Sequence, residues 1–220
     1  MELRRENALV VFTVAEIRAY RENDLAQLVK VYKSAFAERP WNEYMKCSSC
    51  GVNYGKRELQ MPRRSCKKCD NLLVLREFWS FQEIEEDLES GRSQRNPIVL
   101  VADKGKELAG FTWGYQLPLE KFPFLAGKVP KETNYMDEIA VTGSKREKGI
   151  GTALGLSYLE LAQKQRMLEV VLRTDERNEA SMGLFKKLGF MSIPDAESAR
   201  GNIYDPNYSD RIYLRRRLGK

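Results

Sequence analysis

The stretch from Tyr135 to Leu154, YMDEIAVTGSKREKGIGTAL, constrains this chain more than any other. Met136, Ile139, Ala140 and Val141 read as a short buried strand interrupted by two acids, Asp137 and Glu138. Lys145, Arg146 and Lys148 then lead into Gly149-Ile150-Gly151. Beyond the glycines, Ile150, Ala153, Leu154, Tyr158, Leu161 and Ala162 recur at helical spacing. The first turn of a helix offers backbone N–H groups without partners and a partial positive charge. Glycines at that turn let a phosphate approach the backbone, so the segment predicts a site for a phosphorylated ligand.

A second segment follows at fixed remove. LRTDERNEASMGLFKKLGFM closes a strand (Glu169 to Thr174), makes a polar turn and enters an amphipathic helix from Asn178 to Leu188, ended by Gly189-Phe190. Arg146-x-x-Gly149-x-Gly151 resembles the pyrophosphate-binding signature of the GNAT superfamily of acyl-CoA-dependent N-acetyltransferases. Asn178, Ala180, Phe185, Lys187, Gly189 and Phe190 resemble that family's second motif in order and approximate spacing. The resemblance covers roughly Asp24 to Arg217 with one insertion, and it implies an α/β fold. The implied sheet is mixed, mostly antiparallel and twisted, with helices on both faces.

The same glycines also satisfy GxGxxxG, a dinucleotide-fold variant, with Asp175 at the end of the next strand. In that fold the first glycine follows its strand almost at once. Here seven residues, three of them basic, separate Val141 from Gly149. That reading also leaves the Asn178 to Phe190 segment without a role.

What the resemblance implies can be carried over residue by residue. Arg146, Glu147, Lys148, Gly149, Ile150, Gly151 and Thr152 would hold the acetyl-CoA pyrophosphate, largely through backbone N–H groups. Ile139, Ala140 and Val141 would pair their main chain with the pantetheine arm and stabilise the oxyanion. Asn178, Phe185 and Lys187 complete the expected donor site. Asp137, with Glu138 beside it, lies where some relatives carry an acidic general base. Strict alternation along a strand would put these two acids on opposite faces. The plainer roles are a solvated acid for each carboxylate, a helix N-cap for Asn178 and core packing for Phe185. Phe185 stands where the family usually has the tyrosine that protonates the departing thiolate; Tyr158, Tyr204, Tyr208, Tyr213 or a water could substitute.

Composition narrows the chemistry. The chain has 220 residues, enough for one well-cored domain with a small appendage. It contains no histidine, which excludes Ser-His-Asp triads, Cys-His pairs and HExxH zinc hydrolases. Any general base is therefore a carboxylate, a tyrosine, the N-terminus or a water held by one of these. The longest apolar run near the start, Ala8 to Ala15, is eight residues. That is too short for a membrane span and has no cleavage site, so the expectation is a soluble, cytoplasmic protein.

Four cysteines form one constellation, Cys47-Ser-Ser-Cys50 and Cys66-Lys-Lys-Cys69, with fifteen residues between the pairs. This is the spacing of a structural zinc ribbon, with iron or disulfides as weaker readings. The expected organisation is an acetyltransferase domain of residues 1–38 and 76–220 and a zinc-bearing insertion of residues 39–75. From Lys46 to Arg76 there are eight Lys or Arg against Glu58 and Asp70, a net of +6 that equals the whole-chain value. So basic a segment could contact nucleic acid, an acidic protein or the CoA phosphates, or simply brace the fold. Two functions are open to such a chain: an acetyl-CoA-dependent N-acetyltransferase, or an acyl-CoA-binding module whose ribbon recognises a partner. The acceptor amine is left open.

Overall fold

The computed structural model describes residues 15–143 and 149–219. The apolar run from Ala8 to Val14, and Arg146, Glu147 and Lys148, lie outside the described residues. The elements run β1 (Glu16–Ala19), α1 (Leu25–Phe36), β2 (Met45–Cys47), β3 (Asn53–Tyr54), β4 (Leu75–Glu77), α2 (Phe81–Arg92), β5 (Ile98–Asp103) and β6 (Leu108–Gln116). They continue with β7 (Thr133–Val141), α3 (Ile150–Lys164), β8 (Glu169–Asp175), α4 (Glu179–Lys187), β9 (Met191–Ser192), β10 (Tyr204–Asp205) and β11 (Tyr208–Arg217).

One sheet carries the strands in the order β1-β5-β6-β7-β8-β11-β10, with β9 on the flank of β11. Every pairing in it is antiparallel except β7 with β8. The parallel pair is the one joined by helix α3, because a parallel return needs a long crossover. This is the expected mixed, mostly antiparallel sheet with helices on both faces. Helices α1 and α2 bury Leu28, Val29, Tyr32, Ile84 and Leu88 against Val101, Phe111 and Trp113 on one face. Helix α3 lays Ile150, Leu154, Tyr158 and Ala162 on the other, over Leu100, Met136 and Leu172.

Local chemistry sets the helix limits. Ser80 caps α2: its hydroxyl accepts from the Glu83 amide at 3.1 Å, while Glu83 Oε2 accepts from the Ser80 amide at 2.7 Å. Asn178 caps α4 by accepting from the Ser181 amide at 3.2 Å. Gly149 precedes α3 with φ of 75°, a left-handed conformation in which glycine avoids the Cβ penalty. Among the described residues no helix is long and apolar enough to cross a membrane.

Between α1 and α2 the chain leaves the main sheet and forms a separate three-stranded one, β3-β2-β4. Its core is small: Cys47, Tyr54 and Cys66, with Val52, Leu59 and Leu75 packed around them.

Strand β7 is irregular on both of its edges. It pairs with β8 only from Thr133 to Met136. Its pairing with β6 shifts at the same point: Trp113 faces Glu138 and Gly114 faces Met136, which leaves Asp137 as an extra, bulged residue. Gly114 is required there, because a Cβ would collide with the Tyr135 carbonyl oxygen and the Tyr158 hydroxyl.

Candidate active site

The bulge corrects the expected alternation of the two acids. Met136 and Ile139 both pack on the α3 face, three residues apart, where unbroken alternation would have opposed them. The extra residue turns Asp137 and Glu138 to the same side of the sheet, the side of α1 and α2. Asp87 of α2 accordingly acts on both carboxylates, and both act on Tyr32 of α1.

Beyond Met136 the strands part. From Asp137 to Val141 the β7 edge turned toward β8 has no strand partner among the described residues. Its N–H and C=O groups therefore face an opening between β7 and β8. A cavity of about 490 Å³ occupies this opening. Ile139, Ala140 and Val141 form one wall. Gly149, Ile150, Gly151 and Thr152, at the start of α3, form its end. Asn178 and Lys187, from α4, lie across from them.

The first residues of α3 line the cavity, and their amides have no acceptor inside the helix. The structure thus brings together every donor-site residue expected from the sequence, with two exceptions. Arg146, Glu147 and Lys148 lie outside the described residues. Phe185 is buried in the core, its ring 5.8 Å from that of Phe190, and does not line the cavity. It faces inward because α4 needs an apolar anchor against the sheet; Leu184, next to it, reaches the cavity instead.

Sequence reasoning missed the opposite wall. Phe36, Arg39, Pro40 and Trp41, from the end of α1 and the loop after it, close the cavity over the β7 edge. A tryptophan beside proline in a polar loop was the one available signal. Arg211 of β11 lies over the Trp41 ring at 5.2 Å and ties this loop to the far side of the sheet.

On the α1/α2 side the carboxylates gather. Burial, then the neighbouring Asp87 charge, raises Asp137 from 3.8 to about 6, against Tyr115, Arg173 and Trp113, which lower it. The Tyr115 hydroxyl donates to Asp137 Oδ2 at 3.3 Å. Burial raises Glu138 further, and Asp137, Asp87 and Glu43 add to it. Glu43 is also raised by burial, although Trp79 Nε1 donates to it at 2.9 Å. The floor is aromatic: Phe111 and Trp113 stack at 4.9 Å, and Tyr32 lies parallel to Phe111 at 6.0 Å.

None of the tyrosines considered as a proton donor is well placed by its contacts. The Tyr158 hydroxyl is buried and committed to Asn134 Oδ1 and the Tyr135 carbonyl. Tyr204 donates to Glu176 at 2.9 Å. Tyr213 packs in the core against Phe124, and Tyr208 lies exposed beneath Arg211.

In the insertion, Cys47, Cys50, Cys66 and Cys69 bring their sulfurs within 4.8 Å of one another. Cys50 and Cys66 are 3.6 Å apart, too far for a disulfide and close to the ~3.8 Å edge of a tetrahedron with metal–sulfur bonds of about 2.3 Å. The Tyr54 hydroxyl and the Lys68 amide both donate to Cys66 Sγ, at 3.3 and 3.4 Å. Burial would raise the Cys66 thiol, but the Cys69 and Lys68 amides and the Tyr54 hydroxyl outweigh it and lower it, while the neighbouring Cys69 thiol is raised. Four converging sulfurs are a donor set that could bind a metal ion.

Comparison with known proteins agrees with this geometry. The family model described as the acetyltransferase (GNAT) family matches residues 66–190. An N-acetyltransferase from Staphylococcus aureus Mu50 superposes with a TM-score of 0.60 at 18% identity, over 93% of this chain and 99% of that one. The ribosomal-protein-alanine N-acetyltransferase of Brucella melitensis gives 0.58 at 19% identity, over 92% and 99%. The PaiA N-acetyltransferase of Thermoplasma acidophilum, solved with coenzyme A, gives 0.57 at 16% identity, over 92% and 98%. A search of curated protein sequences finds no match.

Proposed function

This chain belongs to the GNAT acetyltransferase family, and from that premise we propose that it transfers the acetyl group of acetyl-CoA directly to an amine. The observation that carries the reading is the parting of β7 and β8 beyond Met136, with the α3 N-terminus at the mouth of the opening. The pyrophosphate would rest on the amides of Ile150, Gly151 and Thr152, where the helix offers unpaired donors and partial positive charge. Lys187 would add charge from the opposite wall, and Asn178 would hold the start of α4 in place. The free edge of β7, from Ile139 to Val141, would accept the pantetheine amides as an added strand. A β7 amide would also meet the oxyanion formed when the amine attacks.

The two carboxylates divide the proton work. Asp137, near 6, is mostly ionised at neutral pH yet basic enough to take a proton from the incoming ammonium. Glu138, raised well beyond the usual carboxylate range, stays protonated and can donate to the departing thiolate. That assignment supplies the acid that Phe185 cannot. Holding amine and thioester together in one opening accounts for much of the remaining rate.

In the insertion the four cysteines would bind Zn²⁺ in a closed tetrahedral site. A four-thiolate set leaves no position for substrate, so the ion would stabilise the fold and take no part in transfer.

The test follows free CoA thiol while purified protein meets acetyl-CoA and a panel of amines and peptides. Thiol release with one acceptor class, lost in Asp137→Asn, supports the reading. Tight acetyl-CoA binding without release for any acceptor overturns it and leaves an acyl-CoA-binding module. Chelation with a strong zinc ligand should lower the melting temperature; no change would mean that the cysteines fold without a metal.

A further inference from the structure

A second cavity, of about 790 Å³, adjoins the first. Its size lies within the roughly 300–1,000 Å³ usual for ligand pockets. Arg39 lines both cavities, so the two meet at that residue. Ser34 of α1 and Glu38 just past its end line the second cavity, as does Gly143, two residues past the end of β7. Arg57 and Glu58 come to it from the cysteine-bearing segment. That segment is held against α1 through its backbone: the Lys56 amide donates to the Ala37 carbonyl at 2.9 Å, and the Glu43 amide to the Phe36 carbonyl at 2.8 Å.

The two cavities differ in chemistry. Phe36, Trp41, Ile139 and Leu184 line the first, whereas no large apolar side chain lines the second. Arg39 and Arg57 are both exposed, and among the described residues neither is in an ion pair. Glu58 is already committed: its carboxylate accepts from Lys67 Nζ at 2.8 Å and from the Gly55 amide at 2.8 Å. Glu38 is the carboxylate left over, and a carboxylate can accept from a sugar hydroxyl. Guanidiniums beside such an acceptor suit a sugar phosphate and not an acyl chain.

Order along the acetyl donor indicates which sugar phosphate. The pantetheine arm is assigned to Ile139 to Val141 and the pyrophosphate to the start of α3. The second cavity is met past Val141, at Gly143, on the side away from Asp137 and the acetyl end. The part of acetyl-CoA still without a place is the adenosine, whose ribose carries a 3′-phosphate. Resting on the acetyl-transfer reading, we propose that the second cavity receives this 3′-phosphorylated ribose, with Arg39 and Arg57 on the phosphate and Glu38 on the ribose hydroxyl. Arg57 is then a specificity-determining residue for the acetyl donor. It makes the cysteine-bearing segment a wall of the transferase site.

The experiment is calorimetry on the full chain with coenzyme A and with 3′-dephospho-coenzyme A. It is run on the parent, on Arg57→Gln and on Arg64→Gln. Arg64 is exposed on the same segment and lines neither cavity, so its variant reports the segment's charge alone. The parent should bind coenzyme A about tenfold or more tightly than the dephospho form, the worth of a hydrogen bond between charged groups. Arg57→Gln should close most of that gap by weakening coenzyme A alone, and Arg64→Gln should leave it open. Equal affinities in the parent overturn the proposal and leave acetyl transfer intact. So does an Arg57→Gln loss that falls equally on both ligands, or an Arg64→Gln variant that closes the gap as far. Binding of neither ligand overturns the acetyl-donor site itself.

Discussion

The β7/β8 opening and the α1/α2 face of β7 are built from different materials. The donor side is small and local: strand backbone at Ile139 to Val141 and the glycine-opened start of α3, about ten residues apart in sequence. On the side of α1 and α2, carboxylates from α2, the loop after α1 and the β7 bulge act on one another. A helix N-terminus and a bare strand edge recognise phosphate and amide through fixed main-chain dipoles, which depend little on side-chain identity. Side-chain charges on the other face would recognise an acceptor, and those can be changed without disturbing the donor. The same fold can therefore keep one donor and exchange acceptors.

The sharpest way to break this division is Glu138→Gln. It should lower kcat by about 10²–10⁴-fold, the usual worth of a general acid or base. KM for acetyl-CoA should stay within a factor of about two, as expected of an interaction made only in the transition state. A rise in the donor KM of the same size as the loss in kcat would merge the two sides. Gly114→Ala acts on the hinge between them, placing a methyl against the Tyr135 carbonyl and the Tyr158 hydroxyl. It should cost about 3 kcal/mol in urea unfolding, at the upper end for overpacking. Gly149→Ala forces a residue with a Cβ into φ of 75° and should cost about 1 kcal/mol. Its activity loss should fall on the acetyl-CoA KM and leave the pH profile unchanged.

The smallest effect on stability has the most telling sign. Asp137 is raised in the fold from 3.8 to about 6, so the native state binds its proton more tightly than the unfolded chain does. This carboxylate therefore costs no stability below about pH 4 and costs progressively more as pH rises through 6. Asp137→Asn should raise the melting temperature at pH 7 relative to pH 4 while abolishing turnover. In the parent protein, kcat should rise with pH through an apparent pKa near 6. A variant less stable at pH 7 than the parent would make Asp137 a structural acid and remove it from the catalytic machinery.

Legibility follows the same division. The crossover unit from β7 through α3 to β8 could be read from sequence because each part is contiguous: an apolar strand, a glycine turn, a periodic helix. The CxxC spacing was legible for the same reason, and the four sulfurs do converge. The faces of Asp137 and Glu138 could not be read, because the bulge depends on Gly114 in another strand and on Tyr158 beneath it. Glu43, Asp87 and Trp41 gave no motif; only the packing of α1 and α2 across the sheet brings them to β7. Phe185 matched the family pattern in position, and the structure turns its ring into the core. The short strands β2, β3, β4, β9 and β10 span two or three residues each, too few for alternation to show.

Everything proposed for this site depends on acetyl-CoA lying along the parted edge of β7 with its phosphates on α3. Amide hydrogen exchange with and without acetyl-CoA tests that placement residue by residue. Exchange should slow at Ile139, Ala140 and Val141 and at Ile150, Gly151 and Thr152, with the cysteine cluster unchanged. Saturating acetyl-CoA that leaves these amides unprotected, or that protects only the insertion, would put the donor elsewhere and undo the assignment.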